Sequence, residues 1–459
     1  MQANFDAKKP ITTHEALWLV PWPAADVVGA LQTPVRLTEA GNEVESFGFV
    51  AGADPAELVI TTTNSLLRDS EKRTAVLDLA KGGESQLIAP DVFASSVLPV
   101  ALAVGAAPAG SYATVSEREG QLQKIVLGKA EGLELPHPQH VYENDFRLET
   151  LQYSAKDGTP LAALLCQRKS GATKGLLVHV HGGPAIALTA DLSAAIGHTR
   201  YPYRHLLAAG FAVLTPAFRG TLGFGDDFAA ANVGQQGKAD LQDVMDGIQH
   251  VRDEKLLEEN ALSKVGIFGG SYGGYLTLRA SSEHPAAFAA AVSMWPFVSN
   301  RYMTLEGGDF TWEEEYISEV TTADGKIAWP LTAEDESSDV FHQLHKVRMT
   351  LLLADADGGG ATAADADAVA RADAGCCCCC CCSRCCFKIV APTLFIHGAD
   401  DTICPPGQSA VAFRELQRRG VATQRVLYPG SGHGINAGNA AHCRDRNERV
   451  LKWFKAHMG

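Results

Sequence analysis

The chain has 459 residues, of which 46% are hydrophobic and 20% charged, as is typical of a folded protein with a large core. Its formal net charge of −14 argues against nucleic acid and anionic membrane surfaces as partners. The polar start of the chain and the lack of a long apolar run predict neither a secretory signal nor a transmembrane helix, so a cytoplasmic location is expected.

Residues 1–145 are predicted to form a β-rich region. The runs 58–63 and 74–79 are rich in β-branched residues and are separated by glycine and proline breakers. The alternation of strand, polar turn and strand resembles β-propeller blades. Blades take about 40–50 residues and closed propellers need at least about four, so this region has room for roughly three. It is therefore either a truncated propeller or a small β domain of another kind.

Residues 146–459 are predicted to form an α/β catalytic domain. A hairpin of strands 146–153 and 161–167, turning at Asp157 and Gly158, comes first. Strands then alternate with helices, which predicts a mostly parallel, doubly wound sheet covered on both faces. The expected strands are 175–180, 211–215, 265–268, 288–294, 393–396 and 426–428, and the expected helices are 203–209, 241–251, 276–282 and 451–457.

A low-complexity segment, 349–387, interrupts this alternation. It holds a glycine run, an alanine and aspartate tract, and nine of the twelve cysteines, seven of them consecutive. Adjacent cysteines lack the spacing of zinc ligands, and the other three, Cys166, Cys404 and Cys443, are too scattered for a disulfide framework. We expect a surface insertion with no metal site, and the sequence leaves open whether the segment is genuine coding sequence.

The stretch GGSYGGY at 269–275 follows a short apolar strand and opens into helical sequence. A strand, a sharp turn flanked by glycines and a helix are the context of a nucleophile elbow, with Ser271 at its tip. A serine hydroxyl is a poor nucleophile alone, so it needs a histidine base and an orienting carboxylate. In α/β hydrolases these follow in the order serine, acid, histidine.

Later parts of the chain supply candidates in that order. Asp400 and Asp401 directly follow the apolar strand 393–396, and His433 lies in a glycine-rich loop after the strand 426–428. The loop HGGP at 181–184 also follows a strand and is of the type that donates one N–H to an oxyanion, the second donor being Tyr272. His181 itself is expected to position this loop rather than to act as a second base.

Five motifs in this order resemble those of the prolyl oligopeptidase family, in its acylaminoacyl-peptidase-like and dipeptidyl-peptidase-like branches. The resemblance covers about 145–459 and implies an α/β-hydrolase fold, a serine peptidase activity without a cofactor, and a peptide or acyl-peptide substrate. It also implies Ser271, Asp401 and His433 as the catalytic residues, and Gly183 as the oxyanion glycine, with Gly182 as the alternative. The motifs are HGGP at 181–184, RGTLGFG at 219–225, GGSYGGY at 269–275, HGADD at 397–401 and GSGHG at 430–434.

Other residues near these motifs have less specific expected roles. Trp295 and Phe297 follow the strand after the elbow helix and are candidates for substrate binding, with core packing as the alternative. Arg219 is expected to be a buried arginine that hydrogen-bonds loop carbonyls. Asp357 is a decoy acid created by the insert. The N-terminal region is too short for the propeller that filters substrates by size in the family, so this filtering is in doubt.

The leading hypothesis is a serine peptidase that hydrolyses short or N-acylated peptides through an acyl-enzyme. The alternatives are a carboxylesterase of the same fold, or an inactive hydrolase-fold protein disrupted by the insert. Neither exo- nor endopeptidase action follows from the sequence, and assembly into a homo-oligomer is left open.

Overall fold

The computed structural model describes residues 145–188, 200–299, 389–435 and 439–459, together with the strands of the N-terminal region and the single residues Leu79, Met303 and Glu306. The insert 349–387, and Asp357 within it, lie outside the described residues.

The described part of the N-terminal region consists of short antiparallel sheets. A two-stranded ribbon is followed by two four-stranded sheets, each with its strands paired in chain order. This up-and-down order is that of propeller blades; the propeller itself, and the domain division after residue 145, stay predictions. The strands are β1 (Trp18–Leu19), β2 (Val35–Arg36), β3 (Glu43–Phe49), β4 (Glu57–Thr63), β5 (Lys72–Asp78), β6 (Glu84–Leu87), β7 (Phe93–Leu98), β8 (Tyr112–Glu117), β9 (Lys124–Gly128) and β10 (Leu133–Leu135).

The part of the chain from residue 146 onwards is built on one eight-stranded sheet with the order β11-β12-β14-β13-β15-β16-β17-β18. The pairs from β14 to β18 are parallel, and only the hairpin β11–β12 and its junction with β14 are antiparallel. The predicted mostly parallel α/β-hydrolase sheet is thus confirmed. The strands are β11 (Phe146–Ser154), β12 (Pro160–Arg168), β13 (Gly175–Val180), β14 (Phe211–Ala217), β15 (Val265–Gly270), β16 (Ala290–Met294), β17 (Thr393–Gly398) and β18 (Thr423–Tyr428).

Helices cover both faces of this sheet. Buried side chains of α3, α5 and α6 form one core layer with the sheet, and those of α1 and α7 form the other. Because most strands are buried on both sides, they are continuous apolar runs rather than alternating ones. The helices are α1 (Tyr203–Ala208), α2 (Asp226–Ala230), α3 (Ala239–Asp253), α4 (Glu259–Leu262), α5 (Tyr272–Glu283), α6 (Pro406–Arg418) and α7 (Ala440–Met458).

Three helices were missing from the sequence-based description, and α7 begins eleven residues before its predicted start at 451. The helix α6 follows Pro405 and begins at Pro406. A proline at the first helical position is compatible with a helix, because the N–H it lacks would have no partner there.

The topology brings the candidate loops to one edge. The chain leaves β13 to form β14 on one side of it and returns to form β15 on the other side. Such a reversal leaves a crevice at the carboxyl ends of the strands. The strands from β13 through β15, β16 and β17 to β18 are parallel neighbours. The loops that follow β13, β15, β17 and β18 therefore all start at this edge.

Candidate active site

Ser271 lies at the turn between β15 and α5 with φ 59° and ψ −125°, in the left-handed region that non-glycine residues rarely occupy. Its N–H donates to Met294 O at 3.0 Å, which ties the turn to the neighbouring strand. The flanking glycines leave room for this geometry: a Cβ at Gly273 would overlap Val180 O and lie 2.7 Å from His181 O. The elbow predicted from the sequence therefore has the strained backbone that such turns hold.

Asp401 and His433 contact each other across the ends of β17 and β18. Nδ1 of His433 lies 2.9 Å from Oδ2 of Asp401. Oδ1 of Asp401 accepts from the N–H groups of Ile403 and Cys404 at 3.0 and 2.9 Å. The buried His397 lies with Nε2 3.3 Å from Oδ2 and 2.8 Å from Cys404 O. Since both of these oxygens only accept, Nε2 of His397 carries the proton.

The Asp401 carboxylate is thus surrounded by four N–H donors. Burial would raise its pKa, but the hydrogen bonds from His397 and His433 outweigh burial and lower the pKa to about 2. The carboxylate is therefore charged at neutral pH, and its Oδ2 accepts from the Nδ1–H of His433. By contrast, the side chain of the neighbouring Asp400 is exposed.

This depressed pKa has a consequence for acid stability. A carboxylate with a folded-state pKa of about 2 and an ordinary pKa near 3.9 stabilises the fold above about pH 4 and loses that contribution as the pH falls towards about 2. Replacing Asp401 with asparagine should destabilise the protein at neutral pH, and about 2 kcal/mol of this difference should vanish between about pH 5 and 2. Urea unfolding at several pH values measures it, and a difference independent of pH would contradict it.

The loop after β13 lies directly over the elbow. A Cβ at Gly182 would lie 3.0 Å from Gly270 O and 3.5 Å from Ser271 Cβ. Gly183 has φ 108°, and a Cβ there would lie 2.6 Å from the N of Ala185. Gly183 therefore requires glycine, and a side chain at Gly182 would force the backbone at Gly270 to move by a few tenths of an ångström.

His181 is buried below this loop. Its Nδ1 lies 2.7 Å from Gly182 O and its Nε2 2.9 Å from Thr221 Oγ1, while its ring stacks on Phe218. Burial lowers its pKa to about 4, against the opposing hydrogen bond to Gly182. A neutral ring fixed at both nitrogens fits the expected positioning role.

Tyr272, directly after the candidate nucleophile, is anchored by a buried polar cluster beneath α5. Its hydroxyl donates to the carboxylate of Asp240, and Asn232 Nδ2 lies 3.1 Å from the hydroxyl and 3.0 Å from Asp240. Asp240 also accepts from the N–H groups of Gly237 and Leu241. As the first residue of α5, Tyr272 has a backbone N–H without a partner inside the helix.

The expectation that Arg219 hydrogen-bonds loop carbonyls is wrong. Its guanidinium pairs with Asp243 on α3 at 2.6 Å and with Asp157 in the β11–β12 turn at 2.6 Å. These carboxylates lie 24 and 62 residues from Arg219 in the chain, so no local pattern indicated them. Asp243 is fully buried, whereas the Asp157 side chain is 52% exposed.

These two pairs should differ sharply in their effect on stability. Changing Arg219 to alanine leaves Asp243 as an unpaired buried charge and should lower the free energy of unfolding by about 3–5 kcal/mol. Changing Asp157 to asparagine removes only a solvent-exposed partner and should cost less than about 1 kcal/mol. Urea unfolding of both variants compares them, and equal losses would show that Asp243 is compensated by other groups.

A cavity of about 500 Å³ opens over the elbow, and both Ser271 and His433 line it. Trp295 and Phe297 also line it, and each is 2% exposed. Trp295 packs against Gly270 and lies 6.4 Å from the ring of His433, whereas Phe297 stacks on Tyr275 in the core. The apolar wall of the cavity also includes Leu148, Leu164, Cys166, Ile186, Leu188, Tyr201, Met303 and Ile403.

Sequence reasoning missed several residues of this site. His397 was noted only as part of a motif, although it contacts Asp401. Asp240 carried no local signal, because its partners Asn232 and Tyr272 are 8 and 32 residues away. Arg200, which lines the cavity, was also not singled out.

Within the described residues, no group of three or more histidine, cysteine or acidic side chains is arranged to hold a metal ion. Cys166, Cys404 and Cys443 form no disulfide bond. No described helix is both long and apolar enough to cross a bilayer.

The sequence model of the prolyl oligopeptidase family matches residues 199–357 and 384–459, which is just over half of the chain. The chain belongs to the prolyl oligopeptidase family. The family match is interrupted between 357 and 384, inside the predicted insert. The resemblance read from the five motifs is therefore confirmed.

Relatives within this family include acylamino-acid-releasing enzymes. The chain is 26% identical over 305 residues to acylamino-acid-releasing enzyme 1 of Oryza sativa, which covers 65% of this chain and 32% of the relative. It is 28% identical over 373 residues to the acylamino-acid-releasing enzyme of Mus musculus, which covers 80% of this chain and 42% of the relative. The chain thus spans less than half the length of these relatives.

Solved structures show the same fold. The acylaminoacyl peptidase of Pyrococcus horikoshii superposes with a TM-score of 0.63 at 17% identity, covering 91% of this chain and 56% of that structure.

Proposed function

We propose that this chain is a serine peptidase that hydrolyses short or N-acylated peptides through an acyl-enzyme. The observation that carries the proposal is the 2.9 Å contact between Asp401 and His433 beside the cavity that holds Ser271. The acid and base come from separate strand ends, yet they contact each other, and the base lines the same cavity as the serine on the strained elbow. Family membership and the acylamino-acid-releasing relatives support this assignment.

The protonation states follow from the hydrogen bonds of Asp401. Because its charged carboxylate only accepts, neutral His433 carries its proton on Nδ1 and keeps a lone pair on Nε2. Nε2 takes the proton of Ser271 as the hydroxyl attacks the substrate carbonyl, and it then gives this proton to the leaving amine. Water hydrolyses the acyl-enzyme by the same route, so one amide and one water give one acid and one amine.

The oxyanion that forms on the carbonyl would be stabilised by the N–H groups of Tyr272 and Gly183. Tyr272 N–H lies at the start of α5, where the helix dipole also favours negative charge. A Cβ at Gly182 would lie 3.5 Å from Ser271 Cβ, so the loop packs against the elbow at Gly182. Gly183 follows with a positive φ. Trp295 and Phe297 are proposed to contact the acyl side of the substrate.

Labelling with a fluorophosphonate probe tests the nucleophile. The wild type should be labelled, and the Ser271→Ala variant should not. A panel of an N-acetyl-peptide anilide, the same peptide with a free amine, and a simple aryl ester then tests the substrate class. Turnover of the ester alone would support the carboxylesterase alternative, and absence of labelling in folded wild type would support an inactive protein.

The comparisons do not favour the carboxylesterase, and the contact between Asp401 and His433 argues against a site disrupted by the insert. A cytoplasmic location stays a prediction, and assembly into homo-oligomers stays open.

A further inference from the structure

Arg200 places a positive charge beside the candidate base. The residue is exposed and lines the same cavity as Ser271 and His433. Its side chain packs against Gly434, the residue after His433: a Cβ at Gly434 would lie 3.5 Å from Arg200 Nε and 3.8 Å from its Cζ. The guanidinium therefore lies against the loop that carries the base.

This position indicates which part of a substrate Arg200 would meet. The base that activates the serine must also protonate the leaving amine, so the leaving group lies next to His433. The acyl part lies on the other side of the scissile bond, towards the oxyanion loop and the apolar wall. A group that packs against Gly434 is thus on the leaving-group side.

The charge of the cavity lining also favours an anionic group on the leaving-group side. Its described lining contains no aspartate or glutamate, and Arg200 is the lining residue with a permanent charge. A second guanidinium, that of Arg446, lies behind the same loop with Nη1 3.5 Å from Gly434 O. Both arginines act on the phenol of Tyr201: burial raises its pKa to about 12, while their positive charges oppose this rise.

The positive charge of Arg200 in this lining suits an anion on the leaving group. The formal charge of −14 on the whole chain repels anions at long range, so recognition of a carboxylate requires a local positive group.

We propose that Arg200 binds the α-carboxylate of the leaving group, so that the preferred substrates are short N-acylated peptides whose released part ends in a free carboxylate. This inference rests on the proposed peptidase function. A guanidinium matches a carboxylate with two parallel hydrogen bonds, which an amide at the same place cannot replace.

Two substrates that differ in one group test the proposal. N-acetyl-phenylalanyl-glycine carries the carboxylate, and N-acetyl-phenylalanyl-glycinamide replaces it with a neutral amide. The wild type should show a kcat/KM roughly 5-fold higher for the acid, mainly through a lower KM, with the preference reduced at high salt. Arg200→Gln should bring the ratio close to one, and Arg200→Lys should keep part of it.

Lys169→Gln is the matched control, since it removes one exposed positive charge outside the cavity and should leave the ratio unchanged. An unchanged ratio in Arg200→Gln would overturn the inference while leaving the peptidase function standing. An equal loss on both substrates would also overturn it, because Arg200 would then only support the catalytic loop. If the fluorophosphonate labels the wild type but the wild type hydrolyses neither substrate, the result contradicts the proposed peptidase function itself.

Discussion

Changing Asp401 to asparagine should lower kcat by about 10⁴ with little change in KM. All four groups around this carboxylate are N–H donors: two backbone groups at Oδ1 and two histidines at Oδ2. An asparagine must turn its NH₂ towards one of these pairs. If the NH₂ group faces His433, Nδ1 of the ring must accept a hydrogen bond, so the ring proton moves to Nε2. The ring can then no longer accept the proton of Ser271.

The neighbouring Asp400 provides the control. Its side chain is exposed, so Asp400→Asn should retain nearly the full rate on an N-acetyl-peptide anilide. The two variants have the same change of charge at adjacent positions. If Asp400→Asn lost activity and Asp401→Asn kept it, the assignment of the acid would be reversed.

Changing Gly273 to alanine should cost more than about 3 kcal/mol of the free energy of unfolding. The new Cβ would overlap the carbonyl oxygen of Val180 and lie 2.7 Å from that of His181. Both atoms belong to the backbone at the end of β13, so no side-chain rotation relieves the overlap. Either α5 or the loop 181–184 must move, and activity should fall together with stability.

Gly420→Ala tests whether the loss at Gly273 comes from crowding. Gly420 has φ 73°, but a Cβ there would meet nothing within 4 Å. Only the backbone strain remains, which should cost about 1 kcal/mol. Urea unfolding compares the two variants, and a similar small loss in both would mean that the start of α5 can shift away from β13 at little cost.

The regular parts of the catalytic sheet were predictable because each carries its own pattern. The strand β13 has the predicted bounds, since a fully buried parallel strand is a continuous apolar run. The elbow at Ser271 was predictable because strand, glycine turn and helix follow each other directly in the chain.

The contacts that complete the candidate site were not predictable in this way. Asp401 meets His433 only because β17 and β18 pair, and Asp240 meets Tyr272 only because α3 packs beside α5. Arg219 was misread for the same reason, as its carboxylate partners come from α3 and from a turn 62 residues away. Such pairings depend on tertiary packing, on which a single sequence gives little information.

The pairing of β16 with β17 has a consequence for the chain that connects them. These strands are adjacent and in register, although the chain between Met294 and Thr393 includes the whole low-complexity segment. The candidate nucleophile Ser271 comes before this connection and the candidate acid Asp401 after it, each shortly after the end of a strand. A change in the length of this connection therefore need not move Ser271 or Asp401, because β15 and β17 are also held by their pairing with β13 and β18.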